Sequence, residues 1–271
     1  HPLDLDSALT DMDSSEAITG ISVTFTDLPT NTASNGPIII ETDRASYTVE
    51  SSASFSLTLA DMTELRSIQF SQLPEHFSGI INGTVTIVTN ESGPGGVSQS
   101  FEVDILPDAE PELEVTIDTS ENGVDGTGTG DYVVKEDHSF LVNIKGSTPD
   151  QDGSETLETL EIHNVPVDWL ITDGSGNIDL SQFEGDASAI ASATFSGTSV
   201  TITFNPGTVD FEAGLRFSLL PNDDRDLETI LHGQDLQFAL NGVDTAAGLS
   251  DNSDNVSQFI DVDVDAVVDG L

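Results

Sequence analysis

Apolar and polar residues alternate along several short segments of this chain. In residues 100–105, the apolar side chains of Phe101, Val103 and Ile105 are separated by acidic ones. Successive side chains of a β-strand point to opposite faces of the sheet, so this pattern predicts a strand with one buried face and one solvent-exposed face. The same alternation predicts strands at residues 84–88, 113–117, 140–144 and 200–204.

Turn-forming residues separate these segments. Residues 90–96 and 173–177 are rich in Gly, Asn, Asp and Ser, which favour tight turns. Regularly spaced short strands with such turns are typical of β-sandwich proteins. Residues 61–68 and 180–183 are the two segments whose pattern also fits a short helix. The chain is therefore predicted to be all-β.

An internal repeat predicts two modules. Residues 11–18 recur as residues 150–157, with acidic, apolar and hydroxyl side chains in the same order, and residues 98–105 recur as 257–264. We expect module one at residues 1–109 and module two at residues 110–271. The proline-containing segment 107–111 is predicted to form a short, stiff joint between them.

Module one lacks a counterpart of the first strand of module two. In the repeat, Leu3 and Leu5 correspond to Val142 and Ile144, so about 30 residues of module two precede the point where module one begins. Two interpretations remain open. The first strand was removed by trimming, or module one is split by a domain inserted upstream.

A large excess of acidic residues narrows the function. The chain has 49 Asp and Glu against 6 Lys and Arg, a formal net charge of −43. Mutual repulsion opposes folding, so we expect bound divalent cations, high ionic strength, or both to be needed. The scarcity of basic residues argues against nucleic acid and anionic membranes as partners. No apolar run reaches the roughly 18 residues that a membrane span needs, and the chain has no cysteine.

The repeated acidic segment is the strongest candidate for a metal site. Ca²⁺ prefers six to eight oxygen ligands, and Asp-x-Asp-Gly places carboxylates close to a turn. In module two, Glu136 and Asp137 are expected to face the repeat from across a group of loops at the same end of the sandwich. A solvated acidic turn without metal is the alternative, although duplication and charge favour metal. The predicted ligand set is Asp150, Asp152, Gly153, Glu155, Glu136 and Asp137 in module two, and Asp11, Asp13 and Glu16 in module one.

Further acidic residues lie at the joints. Asp108 and Glu110 belong to the predicted joint, and Asp269 belongs to the start of a second one. A cation bound there would stiffen the array of modules. Residues 261–265 place three aspartates on one strand face, for which a cation and plain hydration remain equally open.

The chain contains no recognisable catalytic motif. Its histidines fit neither a nucleophile elbow nor a zinc-protease helix, and the glycine-rich segment 126–130 lacks the Lys of a phosphate-binding loop. Trp169 and Phe183 are predicted to be core residues rather than a platform for sugars. We therefore expect a protein that is not an enzyme.

Three segments resemble the extender repeats of bacterial RTX adhesins: residues 134–138, residues 150–157 followed by Val165-Pro166, and residues 259–269. The resemblance implies tandem immunoglobulin-like or cadherin-like antiparallel β-sandwich domains that fold outside the cell on binding Ca²⁺. It also implies type I secretion, a place at the bacterial cell surface, and a role in adhesion or biofilms. Module one departs from the pattern, because Ser14 replaces the glycine.

The function predicted from the sequence is that of a calcium-stabilised extender, a spacer that projects a ligand-binding region of a large adhesin. Its expected partners are calcium ions, adjacent modules, and host or biofilm glycans or peptides bound through a neighbouring domain. We expect a monomer. The alternative is a split domain next to the ligand-binding region, or an adhesive domain that itself binds carbohydrate or peptide.

Overall fold

The chain forms two compact units in a computed structural model. Unit 1 comprises residues 1–107 with 245–251, and unit 2 comprises residues 108–244 with 252–271. The structure describes residues 3–4, 15–29, 36–42, 45–49, 54–59, 67–74, 77–93, 95–126, 131–149, 153–185, 187–219, 235–246 and 248–265.

Unit 1 folds into two antiparallel sheets in its described part. The strands are β1 (Leu3–Asp4), β2 (Ile18–Thr26), β3 (Ile38–Thr42), β4 (Ser46–Val49), β5 (Ser54–Leu59), β6 (Ser67–Gln72), β7 (Gly79–Thr89) and β8 (Val97–Ile105). One sheet has the order β5-β2-β7-β8 and the other β1-β6-β3-β4. Between them lies a core that includes Val23, Phe25, Ile40 and Ile81.

Unit 2 is larger and also has two sheets. Its strands are β9 (Glu112–Ile117), β10 (Val124–Gly126), β11 (Asp131–Lys135), β12 (Ser139–Ser147), β13 (Glu155–His163), β14 (Phe183–Gly185), β15 (Ile190–Ser196), β16 (Ser199–Phe204), β17 (Asp210–Ser218), β18 (Leu236–Asp244) and β19 (Asn252–Asp265). The sheet orders are β10-β11-β19-β18-β13-β16-β15 and β14-β17-β12-β9. All pairs are antiparallel except β11 with β19, which is parallel.

The all-β fold class predicted from the sequence is confirmed. The sheet orders of unit 2 place the strands as in an immunoglobulin-like sandwich, with a four-stranded sheet facing a larger one. The order of the middle strands along the chain differs from that of an immunoglobulin domain. Here β14 joins the sheet of β17, and the next two strands, β15 and β16, extend the opposite sheet. No helix in the described part of the chain is long and apolar enough to cross a membrane.

The five strands predicted from alternation are all present. In β8, Glu102 and Asp104 are exposed, as the pattern requires. The predicted helical segment at 180–183 corresponds to a single 3₁₀ turn at Leu180–Gln182. Residues 61–66 of the other segment lie outside the described residues, and Ser67 and Ile68 belong to β6, so the helix prediction is wrong for those two.

The sequence repeat extends to strand register. Ile21 pairs with Ile87 in unit 1, and Leu160 pairs with Leu240 in unit 2. Both pairings contain a β-bulge at the corresponding place, between Ile18 and Gly20 in β2 and between Leu157 and Thr159 in β13. A bulge adds one residue to a strand and shifts the side chains beyond it to the opposite face. The two units therefore share a backbone plan down to a local irregularity.

Candidate metal centre

Two buried carboxylates meet at one end of unit 2. Glu155 begins β13, Asp244 ends β18, and the two residues are direct partners in the antiparallel register. Their exposed fractions are 1% and 2%. Directly opposed residues on neighbouring strands have Cβ atoms about 5 Å apart, so two ionised carboxylates at these positions repel each other strongly.

The joint segment closes over this pair. The backbone N–H of Asp108 donates to Asp244 Oδ2 at 2.9 Å. Two residues later, the backbone N–H of Glu110 donates to Glu155 Oε1 at 2.7 Å. Ala109, which lies between them, is 1% exposed. The joint thus binds the two buried acids through backbone N–H groups that lie two residues apart.

A third acidic side chain lies near the same place. Asn252, which faces Asp244 across the hairpin, donates from Nδ2 to Asp108 Oδ1 at 3.2 Å. The carboxylates of Asp108, Asp244 and Glu155 are hard oxygen donors of the kind that Ca²⁺ binds. Within the residues that the structure describes, no group of three or more acidic or His side chains is close enough to hold a metal ion. The donor chemistry fits Ca²⁺, but the described part supplies only a portion of the ligands.

The predicted ligands that precede Glu155 in the chain are only partly described by the structure. Gly153 has a φ of +88°, a left-handed conformation that favours glycine and supports the predicted tight turn. Asp150 and Asp152 lie outside the described residues, as do Asp11, Asp13 and Asp269. Their role as ligands stays a prediction.

Glu136 and Asp137 do not share a site with Glu155, and this part of the prediction is wrong. The backbone N–H of Glu136 donates to the carbonyl oxygen of Asp265, at the far end of β19 from Asn252. The whole of β12 separates Asp137 from the turn before Glu155, and nine residues of strand span about 30 Å. This separation depends on the direction of β12 within its sheet, which alternation alone does not specify. Glu136 is 5% exposed, and Asp137 has a φ of +65°.

The corresponding end of unit 1 is more open. Glu16 and Glu91 occupy the positions of Glu155 and Asp244 in the repeat register, but Glu16 is half-buried and Glu91 is exposed. Ser15 Oγ donates to Glu91 Oε1 at 2.5 Å. Asn90 ties the strands together, since its Oδ1 accepts from Ala17 N–H at 2.6 Å. In unit 1, hydrogen bonds from Ser15 and Ala17 to the turn after β7 take the place of the buried acidic pair.

Asp244 and Asn252 were missed by the sequence analysis. Asp244 ends an alternating segment, 236–244, that has the same apolar pattern as its neighbours. The signal for its role was its position in the repeat, because the matching residue of unit 1, Glu91, lies two residues after the end of β7 and is also acidic. That signal becomes visible only when the antiparallel register is known.

The basic residue Arg216 is neutralised within unit 2. Its Nη2 lies 2.8 Å from Glu121 Oε1 and 2.6 Å from Glu184 Oε1. Hydrogen bonds to Glu121 and Glu184 raise the pKa of Arg216 above its ordinary value. The guanidinium of Arg216 on β17 is therefore paired with Glu184 of β14 and with Glu121, which lies between β9 and β10.

Trp169 and Phe183 are core residues, as predicted. Trp169 is 0% exposed and packs edge-on against Phe140 at a ring-centroid distance of 5.7 Å. Phe140 in turn stacks on Phe217 at 5.3 Å. These rings hold unit 2 together and are inaccessible to a sugar.

No known protein family model and no curated protein matches the sequence. Among solved structures, BcpA, the major pilin subunit of Bacillus cereus, is 9% identical, with a TM-score of 0.41 over 89% of this chain and 69% of the pilin. The T6 backbone pilin of serotype M6 Streptococcus pyogenes is 6% identical, with a TM-score of 0.35 over 88% of this chain and 64% of the pilin.

A third similar structure, a DUF4466 family protein from Parabacteroides merdae, is 11% identical with a TM-score of 0.29. The alignment covers 55% of this chain and 44% of that protein, so the chain spans less than half of its length. Two of the three similar structures are bacterial pilins. At these identities and TM-scores, the comparisons carry no argument about function.

Proposed function

We propose that this chain is a calcium-stabilised extender segment of a secreted bacterial surface adhesin, similar to the extender repeats of RTX adhesins. Its role is to separate and orient other parts of the adhesin, without catalysis. The observation that carries the proposal is the buried pair Glu155 and Asp244, closed by the joint of a repeated β-sandwich.

Electrostatics supports a cation at this pair. Burial removes both carboxylates from water and strengthens their mutual repulsion. The chain has 49 acidic residues and only six Lys and Arg. A divalent cation bound by Glu155 and Asp244, with the predicted ligands Asp150 and Asp152 completing its coordination, reverses the sign of that interaction. Because the backbone of the joint is bonded to the same two acids, the cation also fixes the joint on unit 2.

Coupling between metal and folding gives the segment its proposed behaviour. A ligand that binds only the native state stabilises it in proportion to the logarithm of ligand concentration. At low calcium, repulsion among the acids favours the unfolded chain, which suits export. At the higher calcium outside the cell, the same chain folds into its sandwich units.

Thermal unfolding tests the proposal. The chain is melted in low-salt buffer with excess EDTA, with 2 mM Ca²⁺, with 2 mM Mg²⁺, and with EDTA plus 0.5 M NaCl. We expect Ca²⁺ to raise the melting temperature by at least 10 °C and more than Mg²⁺ does, because a flexible oxygen site favours the larger ion. Sodium chloride separates general screening from specific binding. Equal melting temperatures in EDTA and Ca²⁺ would refute the proposal.

A second candidate function is ligand binding by unit 2 itself. A cavity of about 390 Å³ opens beside Ile171, whose side chain is 68% exposed, and is lined by Asp173 and Asp179. Hydrogen bonds from the side chain and backbone of Asn177 hold the pKa of Asp173 below its usual value of 3.8, so its carboxylate stays ionised. Such a site can accept hydrogen bonds from sugar hydroxyls or peptide N–H groups. Binding on a glycan or peptide array that is lost in D173A would favour this function over a plain spacer.

A further inference from the structure

In unit 2, one glutamine side chain holds the first strand on the edge of the sandwich. Gln258 of β19 accepts a hydrogen bond at Oε1 from Val115 N–H and donates from Nε2 to the carbonyl oxygen of Val115, both at 2.8 Å. Val115 lies in β9, which belongs to the other sheet. The amide of Gln258 therefore acts as a peptide group would in a neighbouring strand, and it bonds both backbone groups of one residue.

The repeat register identifies Gln99 as the counterpart of Gln258. Leu240 pairs with Val256 in unit 2, and Ile87 pairs with Val97 in unit 1, which places each glutamine two residues further along its strand. Gln99 is exposed, and its Nε2 donates to the carbonyl oxygen of the adjacent Ser100 at 3.3 Å. Gln99 therefore occupies the position at which Gln258 bonds β9. In the described part of unit 1, however, its side chain forms no hydrogen bond to a second strand.

No strand among the described residues of unit 1 corresponds to β9 of unit 2. Leu3 pairs with Ile68 in the register in which Val142 pairs with Leu215, so β1 corresponds to β12. In unit 2, β12 pairs with β17 on one side and β9 on the other. In the described part of unit 1, β1 pairs with β6 alone.

The inward side chains of β8 are less buried than those of β19. Ile260, Val262 and Val264 are 1%, 0% and 8% exposed. Their counterparts Phe101, Val103 and Ile105 are only half-buried. In unit 2, β11 pairs along β19, whereas β8 is the last strand of its sheet in the described part of unit 1. The apolar surface that remains on β8 is the surface that an added strand would cover.

We propose that unit 1 is a strand acceptor, which binds an extended segment of the same repeat type along β1 and β8 with Gln99 holding its backbone. The occupant has apolar residues at alternate positions, as Leu113, Val115 and Ile117 do in β9. The mode is the addition of a strand to an exposed sheet edge, in which backbone hydrogen bonds supply affinity and alternate side chains supply specificity.

Two observations favour this occupant over others. The acidic residues of β8 do not prevent pairing, because Asp261 and Asp263 of β19 face β11 in a formed parallel pair. A second copy of the chain does not supply its β9, because that strand is already bonded to β12 and Gln258. The occupant is therefore a separate segment with the sequence character of residues 110–137.

Binding of a synthetic peptide tests the proposal. The full 271-residue chain, saturated with Ca²⁺, is titrated with fluorescently labelled peptide 110–137, and anisotropy is measured. We expect one peptide per chain and about tenfold weaker binding to Q99A, because two hydrogen bonds to the peptide backbone are lost. A peptide in which Leu113, Val115 and Ile117 are replaced by serine should not bind, and Q258A should leave the affinity unchanged. Equal affinity of Q99A and the parent chain would overturn the proposal.

A fusion keeps the test decisive if the free peptide binds too weakly to measure. Residues 110–139 are placed directly before His1, which reproduces the register that relates Val142 to Leu3. We expect hydrogen exchange of the outward-pointing amides in β8 to slow at least tenfold relative to a fusion with the three serine substitutions. Equal exchange in the two fusions would overturn the proposal. A dimer of the unfused chain with β8 amides already protected would also overturn it, since a second copy would then fill the edge.

Discussion

Glu155 and Asp244 face each other on neighbouring strands, and each accepts a backbone N–H from the joint. These two hydrogen bonds hold two like charges close together in a buried place. Under the proposed function, we expect a bound cation to stabilise this arrangement and its removal to destabilise it. A substitution that removes one of these charges should therefore change the stability of unit 2 in opposite directions without and with calcium.

We expect E155Q to raise the stability of unit 2 in EDTA and to reduce the additional stability that Ca²⁺ provides. Gln keeps an oxygen for the Glu110 N–H but removes the charge, so repulsion with Asp244 is relieved by about 1 to 3 kcal/mol. Urea unfolding followed by the fluorescence of Trp169 measures unit 2, because Trp169 is the single tryptophan of the chain and lies in its core.

The matched control for this substitution is E158Q, which removes the same charge from an exposed position of the same strand. It should shift the urea midpoint little in either buffer, since exposed charges are screened by solvent. If E155Q and E158Q behave alike in both EDTA and Ca²⁺, the buried pair has no special role in metal binding.

The stacked aromatic rings make a second expectation. F217A should lower the free energy of unfolding of unit 2 by about 3 to 5 kcal/mol, because it leaves a cavity beside Phe140 and Trp169. F25A makes the same change in the core of unit 1, where Phe25 is 1% exposed. The Trp169 transition should move in F217A and stay in place in F25A. A similar shift in both would show that the two units unfold as one.

Asp173 gives an expectation for pH. Its pKa is held below the usual 3.8 by hydrogen bonds from the Asn177 side chain, the Asn177 backbone and Ser175 N–H. A carboxyl group with a depressed folded-state pKa contributes stability above its unfolded pKa and loses it as pH falls through the folded value. The parent chain should therefore be more stable than D173N at pH 6, with a difference that shrinks below pH 3.8.

Urea midpoints of the parent and D173N at intervals from pH 6 to pH 2.5 measure this difference. The comparison between the two proteins is needed because protonation of the many other acids relieves repulsion and changes stability on its own. A difference that is constant across the range would show that the hydrogen bonds to Asp173 do not depend on its charge.

The two glutamines should respond differently to the same substitution. Q258A removes both hydrogen bonds to Val115 and should lower the stability of unit 2 by about 1 to 3 kcal/mol. Q99A should change the stability of the unbound chain by less than about 0.5 kcal/mol, because an exposed side chain bonded to its neighbour contributes little. Differential scanning calorimetry of the two variants makes the comparison. Equal destabilisation would show that Gln99 already holds a strand.

Alternation in the sequence was sufficient to find five of the strands. The face of the sheet to which Phe101, Val103 and Ile105 point follows from the two-residue period of a strand. This rule is local and does not depend on the partner strands. The repeat likewise predicted matching elements, which the registers of β2 with β7 and β13 with β18 bear out. Both inferences use information that is contained within a few neighbouring residues.

Long-range relations were harder to obtain. Glu136 and Glu155 were expected at the same end of the sandwich. Between them, however, β12 runs along the length of its sheet and takes the chain to the opposite end. Asp244 was overlooked because its meaning depends on which residue of another strand lies opposite. The parallel pairing of β11 with β19 joins residues far apart in the chain, and no local pattern specifies it.

One additional residue in β13 decides which acid is hidden. Leu160 and Ile162 point into the core, and an uninterrupted strand would continue that alternation to Glu158. The bulge between Leu157 and Thr159 changes the phase, so Leu157 and Glu155 turn inward and Glu158 faces water. The same sequence paired without the bulge would place Thr156 opposite Asp244 and would point Glu158 toward the core. Placement of charge in this fold is thus governed by a count of residues as much as by their identity.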